Sequence, residues 1–232
     1  MAQYLVTGAN RGLGLEYVRQ LLARGDRVIA CCRHAARASE LNRFSGAFPG
    51  HLKVLPLDVA EPRSIAELVR ETDMLDVRID TLINNAGVLT PGEQFGAVES
   101  ASLAQAFATN AAGPFLLTQA LAPRLADGGK VIAISSGLGS IARASQFATP
   151  SYNISKAGLN MAVRMLGFAL AARRIAVLAL SPGWVKTDMG GAGAELEVEQ
   201  SVANMLKVID DLQFDENHIG QFLGNSGKPV PW

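Results

Sequence analysis

An α/β fold with a doubly wound parallel sheet, in a single domain over residues 1–232, is what this sequence predicts, and three observations carry the prediction. Short apolar, β-favouring runs alternate with helical patterns from end to end, the order that parallel βαβ crossovers produce. The runs are continuous rather than alternating, as in strands covered on both faces. That agrees with 49% hydrophobic against 18% charged residues in a chain of 232. A glycine-rich turn follows the first run and opens the first helix, as in sheets that hold a dinucleotide.

Residues 4–7 are the first strand, and residues 15–24 the amphipathic helix after it, closed by Gly25. Residues 27–32 form the second strand, followed by a polar helical stretch from about Ala35. A third strand at 51–56 precedes a helix at 64–75, entered after Pro62, and the fourth strand is 80–84. Two helices are predicted near 100–109 and 111–125, then a fifth strand at 130–134 and a long helix at 150–173. The sixth strand is 175–180, a helix covers 197–212, and 221–223 supplies a seventh strand. No repeat, low-complexity tract or linker divides the chain.

Composition narrows the function. Basic and acidic residues number 21 each, and no basic block is present to grip a nucleic-acid backbone. Cys31 and Cys32 are adjacent on one strand and cannot staple distant segments, so they are expected as buried free thiols. His34, His51 and His218 lack metal-ligand spacing. Gly8 arrives before any leader-like apolar core, and the apolar stretch 168–185 is broken by Arg173, Arg174 and Pro182. Neither a leader nor a membrane span is therefore read, and a cytoplasmic protein is expected.

Polar clusters fall at or just past the ends of predicted strands: Thr7-Gly8, Cys32-Arg33, Asp58, Asn84-Asn85, Ser135-Ser136 and Ser181-Pro182. Ligands bind such sheets at that rim, so the clusters converge on one site. Its first part is Gly8-Ala9-Asn10-Arg11-Gly12-Leu13-Gly14. Glycines permit close backbone approach to a pyrophosphate, and the helix that follows offers free N–H groups and the positive end of its dipole. Its second part is Tyr152 and Lys156, four apart and so on one helical face. A lysine cation beside a phenol favours phenolate and is expected to lower the tyrosine pKa from about 10 toward neutrality.

Thr7-Gly8-x-x-x-Gly12-x-Gly14, Asn84-Asn85-Ala86-Gly87, Ser136, Tyr152-x-x-x-Lys156 and Ser181-Pro182-Gly183 stand in one order along nearly the whole chain. In that order and spacing the sequence resembles the short-chain dehydrogenase/reductase family. The stretches 181–190 and 224–232 are similar to the C-factor/sniffer-type carbonyl reductases within it. The resemblance implies a Rossmann-type fold and an oxidoreductase with Asn110, Ser136, Tyr152 and Lys156 as catalytic residues. Tyr152 would be the acid in carbonyl reduction or the base in alcohol oxidation, and Ser136 would bond the carbonyl oxygen. Asn110 would hold a water beside Lys156. Ser135 competes with Ser136, and the second serine of the pair matches the family.

For the cofactor, the resemblance implies contacts from Gly8, Asn10, Arg11, Gly12, Leu13, Gly14, Arg33, Asp58, Val59, Asn85, Ala86, Gly87, Tyr152, Lys156, Pro182, Gly183, Val185 and Thr187. Thr187 would bond the nicotinamide carboxamide and Asp58 the adenine amino group. An Asp after a strand is also a common turn residue. The second strand ends in Cys32 rather than an acid, with Arg33 next and Arg11 in the glycine loop. Two guanidiniums can grip a 2′-phosphate, which favours NADP(H) over NAD(H), with ordinary surface arginines as the other reading.

Ser136 and Tyr152 are 16 residues apart, a wider spacing than is usual in the family, so 137–149 is expected as an enlarged loop beside the substrate. Ile141, Arg143, Phe147 and Trp184 are candidates for its wall. Gly190-Gly191-Ala192-Gly193 is expected as a short flexible lid over an open cleft, favouring small ketones, aldehydes or quinones. An alcohol dehydrogenase and a nucleotide-binding signalling protein on the same fold are the alternatives. The apolar helices 111–125 and 150–173 are expected to pair in a homodimer.

Overall fold

The computed structural model describes every residue, Met1–Trp232. Seven strands form one sheet: β1 (Gln3–Thr7), β2 (Arg27–Cys32), β3 (Leu52–Pro56), β4 (Ile79–Asn84), β5 (Leu125–Ile134), β6 (Ala176–Ser181) and β7 (Gln221–Gly224). They pair in parallel in the order β3-β2-β1-β4-β5-β6-β7. The order reverses direction between β1 and β4, and that junction lies where β1 delivers the glycine turn.

Alternation along each strand divides the core. Tyr4, Val6, Val28, Ala30 and Cys32 face one layer, and Leu5, Ile29 and Cys31 face the other. The first layer is closed by α1 (Gly12–Ala23), α2 (Ser39–Ala47) and, after four more helices, α7 (Val198–Asp211), through Tyr17, Leu21, Phe44, Val202 and Met205. The second is closed by α3 (Pro62–Met74), α5 (Gly113–Leu121) and α6 (Pro150–Leu170), through Leu68, Leu117, Leu121, Leu159 and Val163. Each wholly buried leucine or isoleucine contributes about 1.5–3 kcal/mol. Both cysteines are buried free thiols, and burial pushes both pKa values up.

Several predicted boundaries move. The helices expected at 100–109 and 111–125 are α4 (Ser100–Phe107) and α5, joined through a π turn at Ala108–Ala112 instead of a break. Helix α5 stops at Leu121, where Ala122 N–H bonds to Gln119 O in a 3-10 turn and Pro123 has no N–H to carry the helix on. The freed residues start β5 early, and Leu125 pairs with Ile79 before an irregular step to Lys130 against Thr81. The long helix also ends sooner than expected, with Ala171–Arg173 forming a 3-10 turn.

Candidate active site

The ends of β1 and β4 are tied together by the residues that follow them. Thr7 Oγ1 accepts from the N–H groups of Asn85 and Ala86, each at 3.0 Å. Asn85 Nδ2 donates to Thr7 O at 2.9 Å and to Gly8 O at 3.2 Å. The Asn85 side chain is thus occupied within the fold, and it braces the glycine turn from behind.

The front of that turn is a cradle. A Cβ on Gly8 would lie 2.8 Å from Ala86 Cα, and one on Gly14 would lie 2.2 Å from Gly8 O. Helix α1 begins here with no side-chain cap and no acidic residue in its first turn. Uncapped N–H groups at the positive end of a helix suit an anion. These residues therefore fit the pyrophosphate of a dinucleotide. Asn10 and Arg11 are exposed beside the turn, and Leu13 turns partly into the core.

Around the cradle the predicted residues divide. Arg33 is exposed just past β2, whereas Arg11 is paired with Asp188 at 2.6 Å. Asp58 forms a turn, its Oδ1 accepting from Ala60 N at 3.0 Å, and its second oxygen stays free of that bond. Val59 and Val185 are buried at 5% exposure, leaving mainly their backbone for a ligand. Pro182 O is held by Ser201 Oγ at 2.8 Å and Asn225 Nδ2 at 3.0 Å, which fixes the turn through Gly183. Thr187 Oγ1 accepts from Gly190 N at 3.0 Å and donates to Val185 O in a long 3.4 Å bond.

The expectation of a flexible 190–193 lid does not hold at Gly190. Trp184 Nε1 donates to Gly190 O at 2.8 Å, and a Cβ there would sit 2.0 Å from Val185 O. Gly190 is locked under Val185 by close packing. Ile141, Arg143, Phe147 and Trp184 are all exposed. The 137–149 stretch holds two short 3-10 turns and is tied to the C-terminal residues, Ser140 Oγ donating to Pro231 O at 2.6 Å.

Helix α6 brings Tyr152 and Lys156 up beside the end of β5. Lys156 Nζ lies 5.6 Å from the centre of the Tyr152 ring and donates to Ile134 O at 2.7 Å. Consecutive serines after β5 part company. Ser135 is buried and donates to Asn160 Oδ1 at 2.6 Å, whereas Ser136 is half-buried, accepts from Leu138 N at 3.1 Å, and lies near enough to Tyr152 to offset part of the rise in its pKa. Ser136 is therefore the serine open to chemistry. Asn110 sits in the π turn, a device common at functional sites. It is wholly buried, accepts from Val88 N at 2.8 Å, and donates to Val88 O at 2.8 Å and Ser155 Oγ at 2.9 Å. No donor is left on that side chain. Gly87 completes the group, a Cβ there lying 3.3 Å from Asn110 Oδ1 and 3.7 Å from Lys156 Nζ.

The expected lowering of the tyrosine pKa is reversed. Burial raises the Tyr152 phenol above its ordinary value, and Ser136 offsets only part of that. The lysine shifts as well, its own pKa falling to about 8 because it too is buried. Spacing puts the two groups on one face but carries no information about desolvation. Ser155, within this helix, and Glu93, which bonds to it, were not singled out from the sequence, because neither is a specified position of a motif.

A profile for short chain dehydrogenases matches residues 3–196. The chain belongs to the short-chain dehydrogenase/reductase family. It is an oxidoreductase interconverting CH–OH and C=O. As such it is similar to the carbonyl reductase Sniffer of D. melanogaster, with a TM-score of 0.93 and 32% identity over 100% of both chains. It is also similar to an NADPH-bound carbonyl reductase from chicken fatty liver, with a TM-score of 0.92 and 36% identity over 100% of this chain and 99% of that one. The C-signal of Myxococcus xanthus is 42% identical over 156 residues, 66% of this chain and 93% of that protein. No helix in this short-chain dehydrogenase/reductase is long and apolar enough to cross a membrane.

Proposed function

We propose that this protein is an NADP(H)-dependent carbonyl reductase for small ketones, aldehydes or quinones, working in the cytoplasm with Tyr152 as its general acid. The observation that carries this reading is the buried Tyr152 phenol, held protonated near neutral pH beside Ser136 and Lys156. Burial keeps the phenol in the protonated form from which reduction starts, and the Lys156 cation beside it offsets the cost of forming the phenolate. A panel of diverse carbonyl compounds scored by loss of NADPH absorbance tests it. Turnover across several classes is expected, and one compound preferred by many orders of magnitude, or none reduced, would count against it.

When bound, NADPH supplies the hydride. The 8–14 turn and the first turn of α1 would hold its pyrophosphate, and Asn85, Ala86 and Gly87 would contact the adenosine half. Asp58 and Val59 would take the adenine, and Pro182, Gly183, Val185 and Thr187 the nicotinamide end. Ser136 bonds the carbonyl oxygen as charge grows there, and Tyr152 passes it a proton. The Lys156 cation stabilises the phenolate left behind. Asn110 organises the group, and its one side-chain oxygen, already accepting from Val88 N, has a second lone pair for a water on the route that returns the proton.

For cofactor choice, the exposed Arg33 and the exchangeable Arg11–Asp188 pair support a 2′-phosphate site, as does the NADPH-bound relative. Arg33→Glu is expected to reduce the NADPH-to-NADH affinity ratio by about 100-fold, in line with loss of one charge-assisted contact and gain of repulsion. An unchanged ratio, measured by fluorescence titration, would remove Arg33 from the site. The likeness to a C-signal keeps a signalling role as the second reading.

Helix α6 supports a homodimer. Ile154, Met161, Met165 and Phe168 lie along one exposed stripe, with Phe107 and Leu116 also exposed on the adjoining helices. That much apolar helix surface suits an isologous pairing. Light scattering is expected to give the dimer mass, and Met165→Glu the monomer mass. A monomeric wild-type chain would refute the pairing.

A further inference from the structure

Helix α6 starts poorly by its own sequence. Thr149, at its N-cap, is left-handed (φ 40°, ψ 53°), and its hydroxyl donates to Asn153 Oδ1 at 3.1 Å instead of capping the first turn. Pro150 has no N–H. The first donor that needs a partner is Ser151 N–H, and it donates to Glu93 Oε2 at 3.1 Å, while Ser151 Oγ donates to Glu93 Oε1. Ser151 is buried at 1% exposure, so water does not replace these bonds. The cap of the helix that carries Tyr152 therefore comes from a distant loop, between β4 and α4. Its carboxylate also complements the helix dipole.

That loop grips Tyr152 from both sides. Upstream, Glu93 holds Ser151, its immediate neighbour. Downstream, Ser155 Oγ donates to Tyr152 O at 2.7 Å and accepts from Asn110 Nδ2, and Asn110 is bonded both ways to Val88 of the same loop. Loss of either hold would let the first turn of α6 fray, and a general acid displaced by a fraction of an ångström loses rate before it loses affinity.

We propose that Glu93 is a positioning residue for Tyr152, fixing the first turn of α6 through Ser151. This rests on the reductase reading for its kinetic half, but not for its structural half. Hydrogen exchange on the NADPH-loaded protein reads the structural half without turnover. Glu93→Ala is expected to speed exchange at the amides of residues 151–154 by about tenfold, and Glu93→Gln, which keeps an acceptor and a hydrogen-bonding group for Ser151, to restore slow exchange. Unchanged exchange in Glu93→Ala would overturn the proposal, whatever the enzyme reduces.

The kinetic half is a split between parameters. Glu93→Ala is expected to lower kcat about tenfold with the Kd for NADPH and the carbonyl KM within about twofold, Glu93→Gln to recover most of the rate, and Glu93→Ala/Ser151→Ala to be no worse than Glu93→Ala alone. Full kcat in Glu93→Ala, or additive losses in the double variant, would overturn it. A wild-type protein that reduces no carbonyl would instead defeat the reductase reading, leaving the exchange result to stand or fall by itself.

Discussion

Tyr152→Phe is expected to lower kcat for NADPH-dependent carbonyl reduction by about 10³-fold, the scale of a lost general acid, and to leave the Kd for NADPH within about twofold. The phenyl ring of Tyr152 is packed, with the whole residue only 8% exposed, so the substitution removes the hydroxyl and keeps the shape. Lys156, its bond to Ile134 O and the glycine cradle do not depend on that oxygen. The pH profile adds a sign. Burial holds the phenol protonated beyond its ordinary range, so Tyr152 does not limit reduction near neutrality. Lys156 loses its proton as pH rises through about 8, and with it goes the cation that stabilises the phenolate. The wild-type rate is therefore expected to fall on the alkaline side near that pH. Steady-state rates and fluorescence titration of NADPH check both halves. Full activity in Tyr152→Phe would place the proton donor elsewhere, and catalysis lost while NADPH still binds would separate an enzyme from a nucleotide-sensing role.

The residues that announce themselves in the sequence are those whose work is local. Strands β1 to β7 were legible because continuous apolar runs are a property of a few adjacent residues. The glycine turn was legible because its spacing reflects one tight piece of backbone. Tyr152 and Lys156 were placed on one face by helical period alone. What their spacing could not give was the direction of the phenol shift, because desolvation comes from every element packed around them, and here burial outweighs the offset from Ser136. The family pattern already favoured Ser136 over Ser135, and the structure adds that Ser135 Oγ is spent on Asn160. Glu93 was silent for a related reason, since its partner lies 58 residues away. The π turn at Asn110 was missed because its sequence reads as ordinary helix, and its register is set by the bonds Asn110 makes to Val88 and Ser155.

Gly14→Ala is expected to weaken NADPH binding by about 100-fold, equivalent to the loss of one or two charge-assisted bonds. The new Cβ would fall 2.2 Å from Gly8 O and 2.6 Å from Asn85 Nδ2. Neither neighbour is a loose side-chain tip. Asn85 is bonded to Thr7 O and Gly8 O, and Thr7 Oγ1 holds the backbone of Asn85 and Ala86 in return. Relief must come from moving α1 away from the turn, which opens the cradle where the N–H groups converge. Such overpacking costs about 1–3 kcal/mol, so Tm is expected to drop by roughly 2–10 °C. Gly46→Ala is the control for adding a methyl to a helical glycine. Gly46 lies in α2 with nothing within 4 Å of the added carbon, and that variant is expected to gain up to about 1 kcal/mol with NADPH affinity intact. Thermal melts and fluorescence titration on both variants decide it. If Gly14→Ala bound NADPH as tightly as the wild-type chain, the phosphates could not lie at the first turn of α1.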